Sequence, residues 1–228
     1  MATMSIAPMA DYTIDLSAPV SDVGVTFASG TPDTLTFDIN ATGHDYTITQ
    51  GAPATAVTIN IIFETNVVPA SVTLDGISIE GIIDLQGDAN VNLLLKDENT
   101  ISGRIHVADD GTDVATLTID SATTPVSVLQ SADRLLVTNT GTFKDPNAAA
   151  IGGGDGESGG IITINGGYVA AIGWNDAGKS YGAGIGGGGS CSGKGGDGGT
   201  IVVSGVRTDL IASAGGISAS GIGYGAGL

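Results

Sequence analysis

Residues 173–180 read Gly-Trp-Asn-Asp-Ala-Gly-Lys-Ser, which meets the spacing of a phosphate-binding loop, G-x4-G-K-[ST]. That chemistry needs a helix directly after the lysine, whose first amides hold the phosphate oxygens. The sequence continues as YGAGIGGGG, a very poor helix former, so the match is rejected as a nucleotide site. Two glycine loops carry acids: GGGDGESGG holds Asp155 and Glu157, and GGDGG holds Asp197. Carboxylates on tight turns suit calcium, the one cofactor these loops suggest. Their acids do not recur on a short repeat, so solvated corners are the stronger reading of the two. A third set, Asp84, Asp88, Asp97, Asp109, Asp110, Asp113 and Asp120, holds enough carboxylates for acid-base cleavage of a polysaccharide. Such cleavage needs two of them at a set separation, which no spacing here marks. A lyase acting on acidic sugars also needs a basic group, and only Arg104, Arg134 and Arg207 are available as arginines. The chain is therefore expected not to be an enzyme.

Aromatic recognition is the remaining chemistry. Tyr168, Trp174, Tyr181 and Tyr224 lie in or beside glycine-rich segments. Rings placed there have little room inside a core and can stack on sugars or anchor a protein contact. Trp174 with Asn175 and Asp176 is the expected contact site, supported by Tyr168 and Tyr181, against the alternative that the rings only cover a flank. The single cysteine, Cys191, excludes an intrachain disulfide, and His44 and His106 lie too far apart to form a metal-ligand spacing.

The elements that must position these residues are strands. Four short alternating runs, at Tyr12–Leu16, Val23–Phe27, Leu35–Ile39 and Tyr46–Thr49, are separated by turn residues. From Val57 the period-2 pattern becomes regular. It shows at Val57, Ile59 and Ile61, at Val72 and Leu74, at Ile77 and Ile79, and at Val91, Leu93 and Leu95. It returns at Leu117 and Ile119, at Ile162 and Ile164, and at Ile201 and Val203. Such strands bury one face and wet the other. No segment has a competing helical period.

An internal repeat points to the architecture. GGIITING (residues 159–166) aligns with GGTIVVSG (residues 198–205), and the same offset sets Ile172 against Ile211. Gly-Ile-Gly recurs around Ile151, Ile185 and Ile222. Stacked coils would pile Ile162 on Ile201, with glycine at the bends. The expected fold is all-β, a single-stranded, right-handed parallel β-helix or β-solenoid. Residues 1–50 are expected to form an N-terminal β cap and residues 51–228 the solenoid, glycine-rich from about residue 150. Residues 124–147 break the pattern and read as a bulge or lateral loop. The ending YGAGL echoes YGAGI at 181–185, so the chain reads as stopping in mid-repeat, with further repeats or another subunit covering that end.

Composition narrows the partners. The 228 residues include 38 glycines, with 24 Asp and Glu against 7 Lys and Arg, a net charge of −17. So few cations cannot neutralise a run of phosphates, so no nucleic acid is expected, nor binding to an anionic membrane. No uninterrupted apolar stretch is long enough to span a bilayer, so no membrane insertion is expected. The opening MATMSIAPMADYT has neither a basic start nor a continuous apolar stretch, so no signal peptide is read there.

From about Tyr46 onward the sequence resembles repeat segments of large surface and secreted proteins of Firmicutes, the carbohydrate-binding-domain or β-strand-repeat type. The segments that carry the likeness are DYTIT (45–49), SVTLDGISI (71–79), DANVNLLLKDENTISGRIHV (88–107), TLTID (116–120), AAIGGGDGESGGIITINGGYVAAIG (149–173) and GAGIGGG (182–188). The resemblance implies a pectate-lyase-like β-helix and an extracellular or cell-surface location. It leaves three roles open. One is a structural or adhesive module touching glycans or host protein, another a fibre component of a virion or filament, and the last a polysaccharide-cleaving enzyme.

Overall fold

The computed structural model describes residues 11–19, 21–51, 55–69, 71–123, 133–174, 181–205, 208–214 and 219–226. Among them the chain is almost entirely β, apart from one 3-10 turn at Ile39–Ala41. The strands follow the alternation of aliphatic and polar residues, because each alternating run has one face to bury.

Successive strands are dealt to two sheets. The first pass gives β1 (Asp11–Asp15), β2 (Val25–Ala28) and β3 (Asp33–Phe37). The next three give β4 (Asp45–Thr49) with β5 (Val57–Phe63), β6 (Ser71–Asp75) with β7 (Ser78–Leu85), and β8 (Asn90–Lys96) with β9 (Glu98–Asp109). Then come β10 (Thr116–Ser121), β11 (Arg134–Thr138), β12 (Ile151–Gly152) and β13 (Ser158–Gly159). The last two passes give β14 (Ile161–Ile164), β15 (Gly167–Ile172) and β16 (Ile185–Gly186), then β17 (Thr200–Val203), β18 (Thr208–Ser213) and β19 (Ile222–Gly223).

The first sheet runs β1-β4-β6-β8-β10-β14-β17, parallel throughout. The second follows β18-β15-β11-β9-β7-β5-β3-β2 and is parallel along that path except for the β2–β3 pair at its edge. The short strands β12, β16 and β19 extend it beside the C-terminal half of β9.

Register makes the core a set of columns. In the second sheet Leu35, Ile61, Ile83, Ile105, Ile151, Ile185 and Ile222 pair one on the next. In the first, Tyr46, Val72, Leu93, Ile119 and Ile164 do the same. The columns are buried except at the last pass, where Ile222 is 48% exposed. Ile162 pairs with Ile201, as the 39-residue repeat requires, and the Gly-Ile-Gly segments stack through Ile151, Ile185 and Ile222. Glycine flanks these isoleucines for lack of space. A Cβ on Gly152 would lie 1.9 Å from the Gly186 carbonyl oxygen, and one on Gly186 2.1 Å from that of Gly223.

Buried polar side chains bind the corners between sheets. Asn99 accepts from the Ile77 amide (3.1 Å) and donates through Nδ2 to the Lys96, Asp97 and Arg134 carbonyls at 3.0, 3.3 and 3.2 Å. It therefore joins three consecutive passes. The Asp133 carboxylate accepts from the Asp97 amide and from the Thr123 amide and hydroxyl.

Three expectations are corrected. Residues 134–138 are not part of a bulge: they form β11, with Leu135 and Val137 facing inward and paired to β9 and β15. Ile172 does not lie on Ile211. Ala170 pairs with Ile211 and Ile172 with Ser213, because the chain spends more residues between β17 and β18 than between β14 and β15. The YGAG echo is not a stacked repeat either. Ile222 pairs with Ile185, and Ala226 lies between the Tyr181 carbonyl and the Ser190 amide, at 2.7 and 2.8 Å.

Candidate functional site

The second sheet is interrupted at one place in three successive passes. Ser102 pairs with Thr138 and Ile105 with Ile151, so residues 103–104 of β9 face residues 139–150 of the next pass. In the following passes the pairing stops at Ile172 and Ser213 and resumes at Ile185 and Ile222. The loop at residues 139–150 is the first of these excursions, and the described residues 173–174 and 181–184 belong to the second.

The first excursion is fastened over the outer face. Glu80 accepts from the Thr142 amide (2.8 Å), and Arg104 Nη1 lies 2.9 Å from Asp145 Oδ2. Asn139 donates to the Asp145 and Ala148 carbonyls at 2.7 and 3.0 Å. Lys144 Nζ sits 4.5 Å from the centroid of the Trp174 ring. Trp174, the expected centre of the contact site, therefore joins two neighbouring excursions and has a cation against its ring. Asn175 and Asp176 lie outside the described residues.

Beside these loops the outward columns of β11, β15 and β18 form a groove of about 230 Å³. Its floor is Leu136, Ala170, Ile172 and Ile211, with Glu98, Arg134 and Tyr168 along the side. Glu98, Arg134, Tyr168 and Asp209 follow one another in register, and the Arg134 guanidinium lies 4.8 Å from the Tyr168 ring centroid. Ile172 and Ile211 are 37% and 49% exposed. The structure thus sets Tyr168 in a groove and Trp174 in the adjoining loops. Tyr181 does not line the groove; it belongs to the same loop as Trp174, where its backbone hydrogen-bonds to Pro146 and Ala226.

The acidic loops fall on the opposite corner of the same sheet. Glu157 Oε2 lies 2.8 Å from His106 Nε2 and accepts from the Gly154 amide at 2.9 Å. His106 Nδ1 lies 2.7 Å from Asp84 Oδ1, its register partner on β7. Burial opposes charge on the imidazole, but the hydrogen bonds to Asp84 and Glu157 outweigh it and push the His106 pKa up to about 9. The Glu157 carboxyl is held below its ordinary value, first by the His106 hydrogen bond. A cleft of about 220 Å³ beside them is lined by Gln86, Asp110 and Asp113 among others. An imidazolium with both nitrogens donating has no lone pair to take a proton. This arrangement clamps neighbouring passes together.

Of the other calcium candidates, Asp155 is exposed and Asp197 pairs with Lys194 at 3.1 Å. No group of three or more His, Cys, Asp or Glu is placed to hold a metal ion among the described residues. The His106 clamp was missed because its partners are 22 and 51 residues away and no motif links them. The groove was missed because its floor consists of aliphatic residues indistinguishable by type from core.

Comparison with protein-family models, curated proteins and solved structures gave no match.

Proposed function

We propose that the chain is a single-stranded, right-handed parallel β-helix that serves as a non-enzymatic structural and adhesive module of a bacterial surface or secreted protein. In this reading each pass is one coil, and residues 1–50, which include the antiparallel β2, are the N-terminal β cap of the solenoid. The module resembles the Firmicutes β-strand-repeat type, and its contact surface is the outer face of β11, β15 and β18 with the loop at residues 139–150 and Trp174 beside it.

The observation that carries the reading is the outward aliphatic strip on that face. Leu136, Ala170 and Ile211 pair in register with their side chains away from the core, and Ile172 and Ile211 are open to solvent. Solvent-facing positions of a strand need no such residues, and a contiguous apolar patch edged by polar groups is characteristic of a contact surface. The His106 clamp supports the non-enzymatic part, because the histidine nearest the acidic cleft is occupied at both nitrogens.

The test is a binding screen of the purified chain on a printed glycan array and a panel of purified host surface proteins, beside the Tyr168→Ala/Ile211→Ser double variant. Binding by the parent that the double variant loses supports the reading. No binding, or equal binding by both, removes it. Release of unsaturated ends from polygalacturonate, with or without calcium, would overturn the non-enzymatic assignment.

A further inference from the structure

We propose that Asn165, at the corner between β14 and β15, is a self-modification site. The Gly166 amide closes on the Asn165 side chain to give a succinimide, which water opens to aspartate or isoaspartate.

The 228 residues contain one Asn-Gly pair, Asn165-Gly166. Glycine has no side chain to shield its nitrogen, so closure by the following amide is least hindered there. The fold adds two groups to the pair. β10, β14 and β17 stack in register, which brings Asp120, Asn165 and Ser204 from three passes to one corner. Ser204 Oγ donates to Asn165 Oδ1 at 2.6 Å. A donor there makes Cγ a better electrophile and holds the charge that the oxygen takes on when the nitrogen attacks. On the other side, a Cβ on Gly166 would lie 2.4 Å from Asp120 Oδ1. A carboxylate oxygen therefore rests against the residue whose N–H must lose its proton, and Asp120 is the base. The same oxygen accepts from the Ser121 amide at 2.7 Å.

The attacking nitrogen is uncommitted. Among the described residues the Gly166 amide donates to no acceptor. Asp75-Gly76, which turns the same corner between β6 and β7, is the contrast: its glycine amide donates to the Lys96 carbonyl at 3.1 Å.

The reaction needs only water. Gly166 N bonds to Asn165 Cγ, the Cγ–Nδ2 bond breaks, and the amide proton passes through Asp120 to the departing ammonia. Water then adds to the imide. Parting the Gly166 nitrogen from Cγ gives aspartate, and parting it from the main-chain carbonyl carbon gives isoaspartate; nothing is oxidised or reduced. Both products gain a negative charge. Isoaspartate also adds one main-chain carbon ahead of β15, the strand that bears Tyr168.

The experiment keeps the purified chain warm at neutral pH in water enriched in a heavy oxygen isotope, beside the same chain unfolded in guanidinium. Mass spectrometry follows the peptide holding Asn165 for the exchange of NH for labelled O. The expected result is that the folded chain converts Asn165 at least as fast as the unfolded one and leaves Asp75-Gly76 unchanged. Asp120→Ala and Ser204→Ala should each slow the folded reaction about tenfold without altering the unfolded one, and Ser204→Thr, which keeps the hydroxyl, should restore it. Circular dichroism checks that each variant is folded, and Ser204 is exposed, so its removal leaves the core intact. An Asn165 that stays intact in the folded chain while the unfolded chain converts it overturns the proposal. So does a folded reaction indifferent to Asp120→Ala or to Ser204→Ala.

Discussion

The His106 imidazole stands between carboxylates of two different passes, 2.7 Å from Asp84 on β7 and 2.8 Å from Glu157 beyond β12. A strand, its neighbour and a later loop are therefore held by one proton-bearing ring.

That ring sets the pH dependence. The His106 pKa is raised from 6.5 to about 9, so its contribution is complete below 6.5 and is lost as pH rises through about 9. Burial alone would raise the Asp84 pKa, but hydrogen bonds from His106 and Gln86 leave it lowered from 3.8, and Glu157 is lowered from 4.5. Their contributions are present above those values and are lost as pH falls. Thermal unfolding monitored from pH 3 to 10 should show greatest stability between roughly pH 5 and 6.5. His106→Gln should flatten the alkaline side and cost about 2 kcal/mol at pH 6.

Asn99→Ala should destabilise by about 2–4 kcal/mol in urea unfolding. The change strips a partner from the buried Ile77 amide and from the Lys96, Asp97 and Arg134 carbonyls at once. An effect below about 1 kcal/mol would show that water replaces the carboxamide at this corner.

Two alanine substitutions in one column separate burial from residue type. Ile105→Ala opens a cavity in a fully buried layer and should cost about 3 kcal/mol. Ile222→Ala, at the half-exposed end of the same column, should cost less than about 1 kcal/mol. Equal losses, measured by urea unfolding, would contradict the stacking described.

Gly152→Ala and Gly76→Ala likewise separate close approach from turn geometry. Both glycines have positive φ, +139° and +64°, but only a Cβ at 152 meets a backbone oxygen; at 76 nothing lies within 4 Å. Gly76→Ala should lower stability by about 1 kcal/mol. Gly152→Ala should lower it by more than about 3 kcal/mol or abolish soluble protein.

The lone tryptophan offers a direct probe of the excursions. Lys144→Met should increase quenching of Trp174 fluorescence by acrylamide while changing stability by no more than about 1 kcal/mol. Unchanged quenching would mean that Lys144 does not shield the ring in solution.

The sequence by itself determined most of the longer strands, their inward faces and part of the stacking. Alternation at Ile162 and Ile164, or at Val91, Leu93 and Leu95, leaves one face to bury. The repeat at 159–166 and 198–205 then fixes which residues share a column. These are local or periodic signals, which is why they could be read without coordinates. The β11 strand was obscured by the irregular segment around it, although its own alternation of Leu135 and Val137 is ordinary.

Only the tertiary structure decided which distant side chains meet. His106 finds Asp84 and Glu157, and Ile211 finds Ala170 rather than Ile172, because pairing depends on how many residues each pass spends between strands. Those lengths vary from pass to pass, as between β14 and β15 (residues 165–166) and between β17 and β18 (residues 204–207), and such a change shifts the partners of the strand that follows. Nothing local in the chain records that accumulated offset, so the groove and the clamp emerge only when the strands are laid side by side.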